Sequence, residues 1–162
     1  MNLRTILLIL LVAGHYPGYT QTSNRIENSD LGISFVVPEG WTATKKIDSY
    51  ILGSSKASGF ILLKTENLHS IREVKAAMEG GIELEDGSKL MPVEKLNLLG
   101  KQGVAGLYKG IIDEVEMTGY LMALMSTTKQ KTVLCISVSP TPNFNQSNLD
   151  YVKILIRSVI FD

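Results

Sequence analysis

The stretch Val104–Ser139, VAGLYKGIIDEVEMTGYLMALMSTTKQKTVLCISVS, decides the fold. It contains three largely apolar segments, which are Val104–Ile112, Val115–Met125 and Lys131–Ser139. Only Asp113 and Glu114 separate the first two segments, and Thr127–Gln130 separates the second from the third. Gaps of this length are typical of β-hairpins. The stretch therefore predicts three antiparallel strands.

Upstream of this stretch, four shorter segments alternate apolar and polar residues or form brief apolar runs, as strands do. These segments are 33–37, 41–43, 50–54 and 59–65. A helix is predicted next, because Ser70 and Glu73 have the spacing of a capping box and Gly80 and Gly81 can end the helix. Residues 87–100 are predicted to be a loop-rich connection.

Downstream of the stretch, Pro140 and Pro142 stop the sheet because proline cannot donate to a ladder. Ser147 and Asp150 are expected to cap a closing helix. One face of that helix is predicted to pack on the sheet through apolar residues at helical spacing, which are Leu149, Val152, Ile156 and Val159. The elements together predict an α+β fold, with a mainly antiparallel sheet of about six or seven strands packed by two helices.

The N-terminus has the pattern of a cleavable signal peptide. A short basic start ending at Arg4 precedes the apolar run Thr5–Ala13, which is too short to cross a bilayer. We expect cleavage between Thr20 and Gln21 and a secreted or periplasmic location. The predicted organisation is a signal peptide at 1–20, a flexible leader at 21–30 and a single α+β domain at 31–162.

Composition and charge narrow the classes of partner. The chain has 162 residues, of which 44% are hydrophobic and 20% are charged, as in soluble globular proteins. Removal of residues 1–20 leaves 15 basic and 16 acidic residues. Nucleic acid is not an expected partner, because no cluster of Lys and Arg is present to bind phosphates. No transmembrane segment is expected in the mature chain.

Nucleophilic catalysis would depend on two residues. Cys135 is the only cysteine, and it lies in a predicted core strand, which favours a buried inert thiol over a nucleophile. His69 is the only histidine beyond the predicted signal peptide. A Ser/His/Asp or Cys/His system would require it, but no G-x-S-x-G motif is present, and a surface residue at the start of a helix is favoured.

Two groups of carboxylates are candidates for metal binding or for acid/base chemistry. Glu83, Glu85 and Asp86 lack EF-hand spacing, so a solvated acidic turn is favoured over a calcium loop. Asp113, Glu114 and Glu116 flank a predicted hairpin tip, where exposed charge is favoured over acid/base chemistry. The sequence assigns no catalytic, cofactor-binding or metal-binding residue, and no cofactor is expected.

Three further patterns have structural and functional interpretations. The glycines Gly100, Gly103, Gly106 and Gly110 match no phosphate-binding motif and predict turns or close packing. A cluster of soft and aromatic side chains on two neighbouring strands favours core filling over an adaptable contact surface; its members are Tyr108, Met117, Tyr120, Met122 and Met125. Asn145–Ser147 is an N-x-S sequon, which matters only in a glycosylating host.

Several segments resemble the PsbP-like, Mog-type and DcrB-like α/β/α sandwich family. They are LGISFVVPEGW (Leu31–Trp41), the helix near Ser70, GVAGLYKG (Gly103–Gly110), the final apolar hairpin and the helix ending in RSVIF (Arg157–Phe161). The resemblance covers most of residues 31–162 and contains no catalytic signature. It implies a sandwich fold and a non-enzymatic binding or assembly role, although one fold hosts many functions.

The sequence thus favours an exported, non-enzymatic binding or assembly module whose partner is a protein or small ligand of unknown identity. The alternative is a hydrolase-type enzyme with a dispersed carboxylate site. Two carboxylates in a concave pocket, or a carboxylate beside His69, would favour the enzyme. A flat sheet face with exposed aromatic side chains would favour partner binding.

Overall fold

The computed structural model describes residues 24–84 and 87–162, and these ranges contain two α-helices and twelve strands. The helices are α1 (Ile71–Glu79) and α2 (Gln146–Ser158). The strands are β1 (Arg25–Asn28), β2 (Ile33–Val36), β3 (Thr42–Lys45), β4 (Ser49–Gly53), β5 (Phe60–Glu66), β6 (Ile82–Glu83), β7 (Lys89–Pro92), β8 (Asn97–Leu99), β9 (Gly103–Ile112), β10 (Val115–Ser126), β11 (Lys131–Pro140) and β12 (Ile160–Phe161). One turn of 3₁₀ helix, Thr141–Asn143, connects β11 to α2.

The long strands β9, β10 and β11 form the centre of an antiparallel sheet, as the sequence predicts. The strand order is β3-β4-β5-β11-β10-β9-β7-β6, and β8 also pairs with β9. A separate small sheet has the order β1-β2-β12. Every strand pair in both sheets is antiparallel. The predicted α+β class is confirmed.

The two faces of the large sheet bury different side chains. On β11, Cys135 belongs to the cluster that contains α2, whereas Ile136 belongs to the cluster that contains α1. Successive residues of a strand point to opposite faces, so one strand supplies both cores. The small sheet adds Ile33 and Phe35 to the α2 cluster. The result is a sandwich with a helix on each face of the sheet.

Two non-glycine residues form the turn of the hairpin between β9 and β10. Asp113 and Glu114 have φ angles of 48° and 67°, in the left-handed region. Two consecutive positive φ angles are typical of the tight turns that match the twist of paired strands. Thr127–Gln130 likewise connects β10 to β11. Both predicted hairpins are therefore confirmed.

The predicted flexible leader at 21–30 is wrong for its second half, because Arg25–Asn28 forms β1 and pairs with β2. Side-chain hydrogen bonds hold this polar strand in place. The Asn28 amide nitrogen donates to the Tyr50 hydroxyl at 2.7 Å, and Arg25 donates to the Ser34 hydroxyl at 2.9 Å. The polar composition of the segment did not indicate a strand, because the stability of the strand depends on hydrogen bonds to these distant partners.

The loop-rich interpretation of 87–100 is also wrong, because this segment contains β7 and β8. Both strands are short and pair with β9. Leu90 and Leu96 anchor the segment in the α1 core. With the other short strands β1, β6 and β12, they raise the strand count in the described residues to twelve, above the predicted six or seven.

The cap of α2 differs from the prediction. Asn145, rather than Ser147 or Asp150, is the N-cap residue, and it forms a reciprocal capping box with Asn148. The buried helix face contains Val152 and Ile156 as predicted, but Leu155 and Asn148 complete it. Leu149 and Val159 are only half-buried. The helix begins two residues earlier than predicted, and Val159 lies just beyond its last residue as the C-cap.

The predicted cap of α1 is confirmed in part. The Ser70 hydroxyl accepts from the Glu73 backbone N–H at 3.2 Å, and Gly80 follows the last helical residue. The Glu73 carboxylate accepts from the His69 backbone N–H at 2.9 Å, one residue before the expected donor. The predicted signal peptide lies outside the described residues. Within 24–84 and 87–162, neither helix is long and apolar enough to span a membrane.

Candidate functional site

Cys135 and His69 do not form a catalytic pair. Cys135 is fully buried under α2, and this burial raises the pKa of its thiol. His69 is exposed at the start of α1, the helix on the other face of the sheet. A thiol without solvent access or a base cannot act as a nucleophile at neutral pH. The predicted inert role of Cys135 therefore fits its surroundings.

The acidic groups lie in separate places. Asp113 and Glu114 occupy the tip of the β9–β10 hairpin, and one carboxylate oxygen of Asp113 is buried without a hydrogen-bond partner. Glu116 pairs with Lys109 at 3.4 Å. Glu85 and Asp86 lie outside the described residues. Among the residues described, no three His, Cys, Asp or Glu side chains converge in a way that could hold a metal ion.

The predicted structural roles of the glycines and of most of the soft cluster are confirmed. Gly100 has a φ of 68° in the turn between β8 and β9. A Cβ on Gly106 would lie 2.4 Å from a methyl carbon of Leu96, so glycine permits the anchor of the β7–β8 segment to pack. Tyr108, Met117 and Met125 are buried in the α1 core. Tyr120 and Met122 are half-buried against the α2 core.

A polar cavity of about 360 Å³ lies beside the N-terminus of α2. Trp41 and Tyr151 form an edge-to-face pair there, with ring centroids 4.9 Å apart. The amide nitrogen of Asn143 donates to the Ser58 hydroxyl at 2.9 Å, and that of Asn145 donates to the Asn143 carbonyl at 3.1 Å. The Ser58 hydroxyl and the Asn143 backbone carbonyl thus satisfy these side-chain amides, which stabilise the start of α2.

The Asn145 sequon overlaps this cap. The Asn145 side-chain oxygen accepts from the Ser147 backbone N–H at 2.9 Å, and the Asn145 backbone N–H donates to Asn148 at 3.0 Å. Asn145 itself is exposed. The side chain of the sequon therefore serves the fold as the N-cap of α2.

A second cavity of about 300 Å³ lies where the β10–β11 hairpin approaches the C-terminal strand β12. Its lining includes Gln102, Leu124 and Phe161. Like the first cavity, it is lined by no carboxylate and no histidine. Neither cavity contains the groups that the hydrolase alternative requires. The carboxylate beside His69 is that of Glu73, and it accepts from the His69 backbone N–H at the start of α1.

The β7–β9 edge of the sheet carries an exposed apolar surface, which we call the apolar strip. It consists of Met91, Val93, Leu99 and Ile111, with exposed fractions of 44%, 52%, 43% and 67%. Met91 lies opposite Lys109, and Leu99 lies opposite Gly103, which in turn lies opposite Leu124. Directly paired residues point to the same face, so these residues lie on the α2 side of the sheet.

The apolar strip extends past the part of the sheet that α2 covers. Val93 continues the β7 ladder by donating its backbone N–H to Leu107 at 3.0 Å, and Ile111 lies two residues beyond Lys109 on β9. From Gly103 to Ile111 the strand advances about 27 Å. Four large aliphatic side chains on one face form an apolar patch, and such patches are often functional surfaces.

Charged residues of both signs surround the apolar strip. The lysines are Lys89, Lys95, Lys101 and Lys109, and the acidic residues include Glu94, Glu83 opposite Lys89, and Glu116 opposite Ile111. Lys109 pairs with Glu116. The other three lysines are exposed and form no ion pair within 24–84 and 87–162.

The sequence interpretation missed the apolar strip because 87–100 was predicted to be loop. The available signal was the apolar content of that segment, which contains Leu90, Met91, Val93, Leu96, Leu98 and Leu99. Leu90 and Leu96 are the anchors. Met91, Val93, Leu98 and Leu99 are left at the surface, and of these Leu98 lies on the α1 side. Sequence alone does not separate anchors from surface residues, because that division depends on the pairing with β9.

The three layers and the antiparallel sheet define the α/β/α sandwich fold of the Mog1 kind. The structure of a point mutant of the protein Mog1 aligns with a TM-score of 0.54 at 9% identity, over 87% of this chain and 96% of that chain. The Saccharomyces cerevisiae Ran-binding protein Mog1p aligns with a TM-score of 0.51 at 10% identity, over 86% and 95%. The fold implied by the family resemblance is thus confirmed.

A crystal structure from Bacteroides thetaiotaomicron VPI-5482 has the same fold, with a TM-score of 0.56 at 9% identity and coverage of 88% of this chain. The present chain spans about half the length of that protein, 49%. No family model and no curated protein matches the sequence. At these identities the likeness establishes the fold alone.

Proposed function

We propose that this protein is an exported, non-enzymatic binding module that contacts a protein partner through the apolar strip. The observation that carries the proposal is the exposure of Met91, Val93, Leu99 and Ile111 on one face of the sheet. The largest exposed apolar patch on a monomeric protein is often a functional surface. A Mog1p structure of the same fold is described as a Ran-binding protein, which supports a protein partner as the class.

The strip is suited to reversible contact because its residues contribute little to the fold. The core of the β7–β8 segment consists of Leu90 and Leu96, which point to the α1 side. Val93 and Ile111 can therefore be changed without a cavity being left in either core. Substitutions at these two positions can therefore test binding separately from the stability of the fold.

The test is affinity capture of the mature chain from its native envelope fraction. The variant Val93→Ser/Ile111→Ser removes apolar area from the strip. The matched control is Ile47→Ser/Ile154→Ser, because Ile47 and Ile154 are large exposed aliphatics outside the strip. We expect wild type and control to retain the same partner and the strip variant to lose it. Retention of the partner by the strip variant would contradict the proposal.

Export is a separate part of the proposal and has its own measurement. The basic start, the apolar run Thr5–Ala13 and the small residues near Thr20 support a cleaved signal peptide. N-terminal sequencing of the secreted or periplasmic protein is expected to begin within a few residues of Gln21. Recovery of an intact Met1 from the membrane fraction would contradict export by this route.

A further inference from the structure

We infer that the polar cavity beside the N-terminus of α2 binds a small organic anion, whose oxyanion group lies against the Trp41 indole N–H and the Lys56 ammonium group. The β2–β3 turn, the β4–β5 loop and α2 contribute to the cavity wall. None of the residues that line it belongs to the apolar strip. The inference therefore goes beyond the proposed function and does not depend on it.

The indole N–H of Trp41 is the group that points to a ligand. Trp41 is only 8% exposed, and its indole nitrogen forms no hydrogen bond with any described residue. Within the described residues, the one fully buried side-chain polar atom without a partner is an oxygen of Asp113. The indole nitrogen therefore keeps a path to solvent, and the cavity that Trp41 lines provides that path.

This indole N–H requires an acceptor from outside the fold. Buried tryptophans usually find a hydrogen-bond partner for the indole N–H, and the group can only donate. No such partner is supplied by the part of the chain that the structure describes. A ligand that occupies the cavity must therefore present an acceptor oxygen to Trp41.

The charge around the cavity favours a negatively charged acceptor. Lys56 lines the cavity, and its ammonium group forms no ion pair within 24–84 and 87–162. The N-terminus of α2 adds a partial positive charge from the helix dipole. Asn145 already accepts the Ser147 backbone N–H at 2.9 Å, so the helix contributes this dipole and not that donor.

No carboxylate lines the cavity, and the acidic residues nearest to it in sequence do not neutralise Lys56. Asp150 accepts from the Gln146 amide at 2.9 Å and pairs with Lys153 at 3.8 Å. Glu39 is exposed and forms no ion pair among the described residues. Outside the described residues, positions 1–23 contain no acidic residue. The acidic residues at 85 and 86 belong to the connection between β6 and β7, at the opposite end of the strand order from β3 and β4.

The volume of the cavity sets the size of the ligand. A volume of about 360 Å³ equals that of about a dozen water molecules at roughly 30 Å³ each. This space exceeds what inorganic phosphate fills, and it suits an organic anion of about a dozen non-hydrogen atoms. The edge-to-face pair of Trp41 and Tyr151 provides an apolar wall for the carbon skeleton of such a ligand.

The experiment uses Trp41 itself as the probe, because it is the only tryptophan of the chain. The mature protein is titrated with glucuronate, glucose and glucosamine, which share a pyranose ring and differ in charge, and also with citrate and inorganic phosphate. We expect glucuronate or citrate to change the fluorescence of Trp41 and to shift its indole N–H resonance in NMR, at up to about 10 mM. Glucose and glucosamine should bind at least about tenfold more weakly, since hydrogen bonds to charged groups are stronger.

Two variants place the binding in the cavity. Asn143→Asp adds a carboxylate to the cavity lining and should weaken the organic anions at least about tenfold by repulsion, whereas Asn97→Asp adds the same charge at an exposed site on β8 and should not. Lys56→Met removes the ammonium group and keeps the apolar stem. It should weaken binding by up to about fivefold, because the group is exposed. The control Lys129→Met, at an exposed position outside the cavity, should leave binding unchanged.

Four outcomes would overturn the inference. They are the absence of a Trp41 response to both organic anions, equal affinity for the three pyranoses, equal effects of Asn143→Asp and Asn97→Asp, and binding of inorganic phosphate as tight as that of the organic anions. Denaturation midpoints identify a variant that fails to fold, and the comparison of the three pyranoses uses the wild-type protein alone. The capture assay with the strip variant is independent of each of these results.

Discussion

The α2 side of the large sheet contains two regions that differ in what covers them. Over β5 and β11, helix α2 and the small sheet bury Leu63, Val133 and Cys135 completely. Over β7 to β9, the same face leaves Met91 and Ile111 in water. Both regions belong to the same sheet, and side chains alternate between its two faces in both. Apolar residues at equivalent positions of one sheet thus stabilise the fold in one region and remain available for contact in the other.

The largest effect is expected in the covered region, at Leu155. This side chain is fully buried between α2 and the sheet. Leu155→Ala removes most of a core side chain and leaves a cavity, so we expect a loss of about 2 to 5 kcal/mol in unfolding free energy. Chemical denaturation of the mature protein measures it.

The control for Leu155 is its neighbour Ile154, which is half-exposed on the outer side of α2. Ile154→Ala should cost less than about 0.5 kcal/mol. Similar costs for the two variants would mean that α2 is not docked through Leu155, and the contrast between the covered and open regions would fail.

An intermediate effect is expected at Asn148, the polar residue under α2. Its amide nitrogen donates to the Ser137 hydroxyl at 3.0 Å, and its oxygen accepts from the Asn145 backbone at 3.0 Å. Asn148→Ala leaves buried polar groups without partners, so we expect a loss of about 1 to 3 kcal/mol. The exposed neighbour Gln146, changed to Ala, should cost less than about 0.5 kcal/mol. Equal denaturation midpoints for Asn148→Ala and wild type would contradict this role.

A smaller effect on stability is expected in the open region. Val93→Ser/Ile111→Ser exchanges exposed aliphatic side chains for polar ones, and we expect a change within about 0.5 kcal/mol per site. Denaturation of this variant also validates its use in the capture assay. A loss as large as that of Leu155→Ala would show that the strip belongs to the core, and the proposed contact surface would have to be abandoned.

The sequence predicted the structure best where segments that are adjacent in the chain pair with each other. The hairpins at Asp113–Glu114 and Thr127–Gln130 have short gaps, and the central strands alternate strongly, so class and central pairing follow from local pattern. β1 could not be predicted in this way, since Asn28 depends on Tyr50, which lies 22 residues further along the chain. The apolar strip was missed for the same reason, because the pairing of β7 and β8 with β9 decides which leucines are buried.

The smallest effect concerns the start of α1, on the face opposite both regions. The Glu73 carboxylate accepts the His69 backbone N–H, and this bond, with a further contribution from the Ser70 hydroxyl, lowers the pKa of Glu73 below its usual 4.5. A carboxyl group whose pKa is lower in the folded state stabilises the fold above pH 4.5, and that contribution is lost as the pH falls below this value. The difference in unfolding free energy between wild type and Glu73→Gln should therefore shrink between pH 6 and pH 3. Because the carboxylate is exposed to solvent, the change should be small. The control variant is Glu39→Gln, at an exposed turn without a hydrogen bond or ion pair in the described residues. A difference for Glu73→Gln that stays constant across this range would mean that its carboxylate does not cap α1.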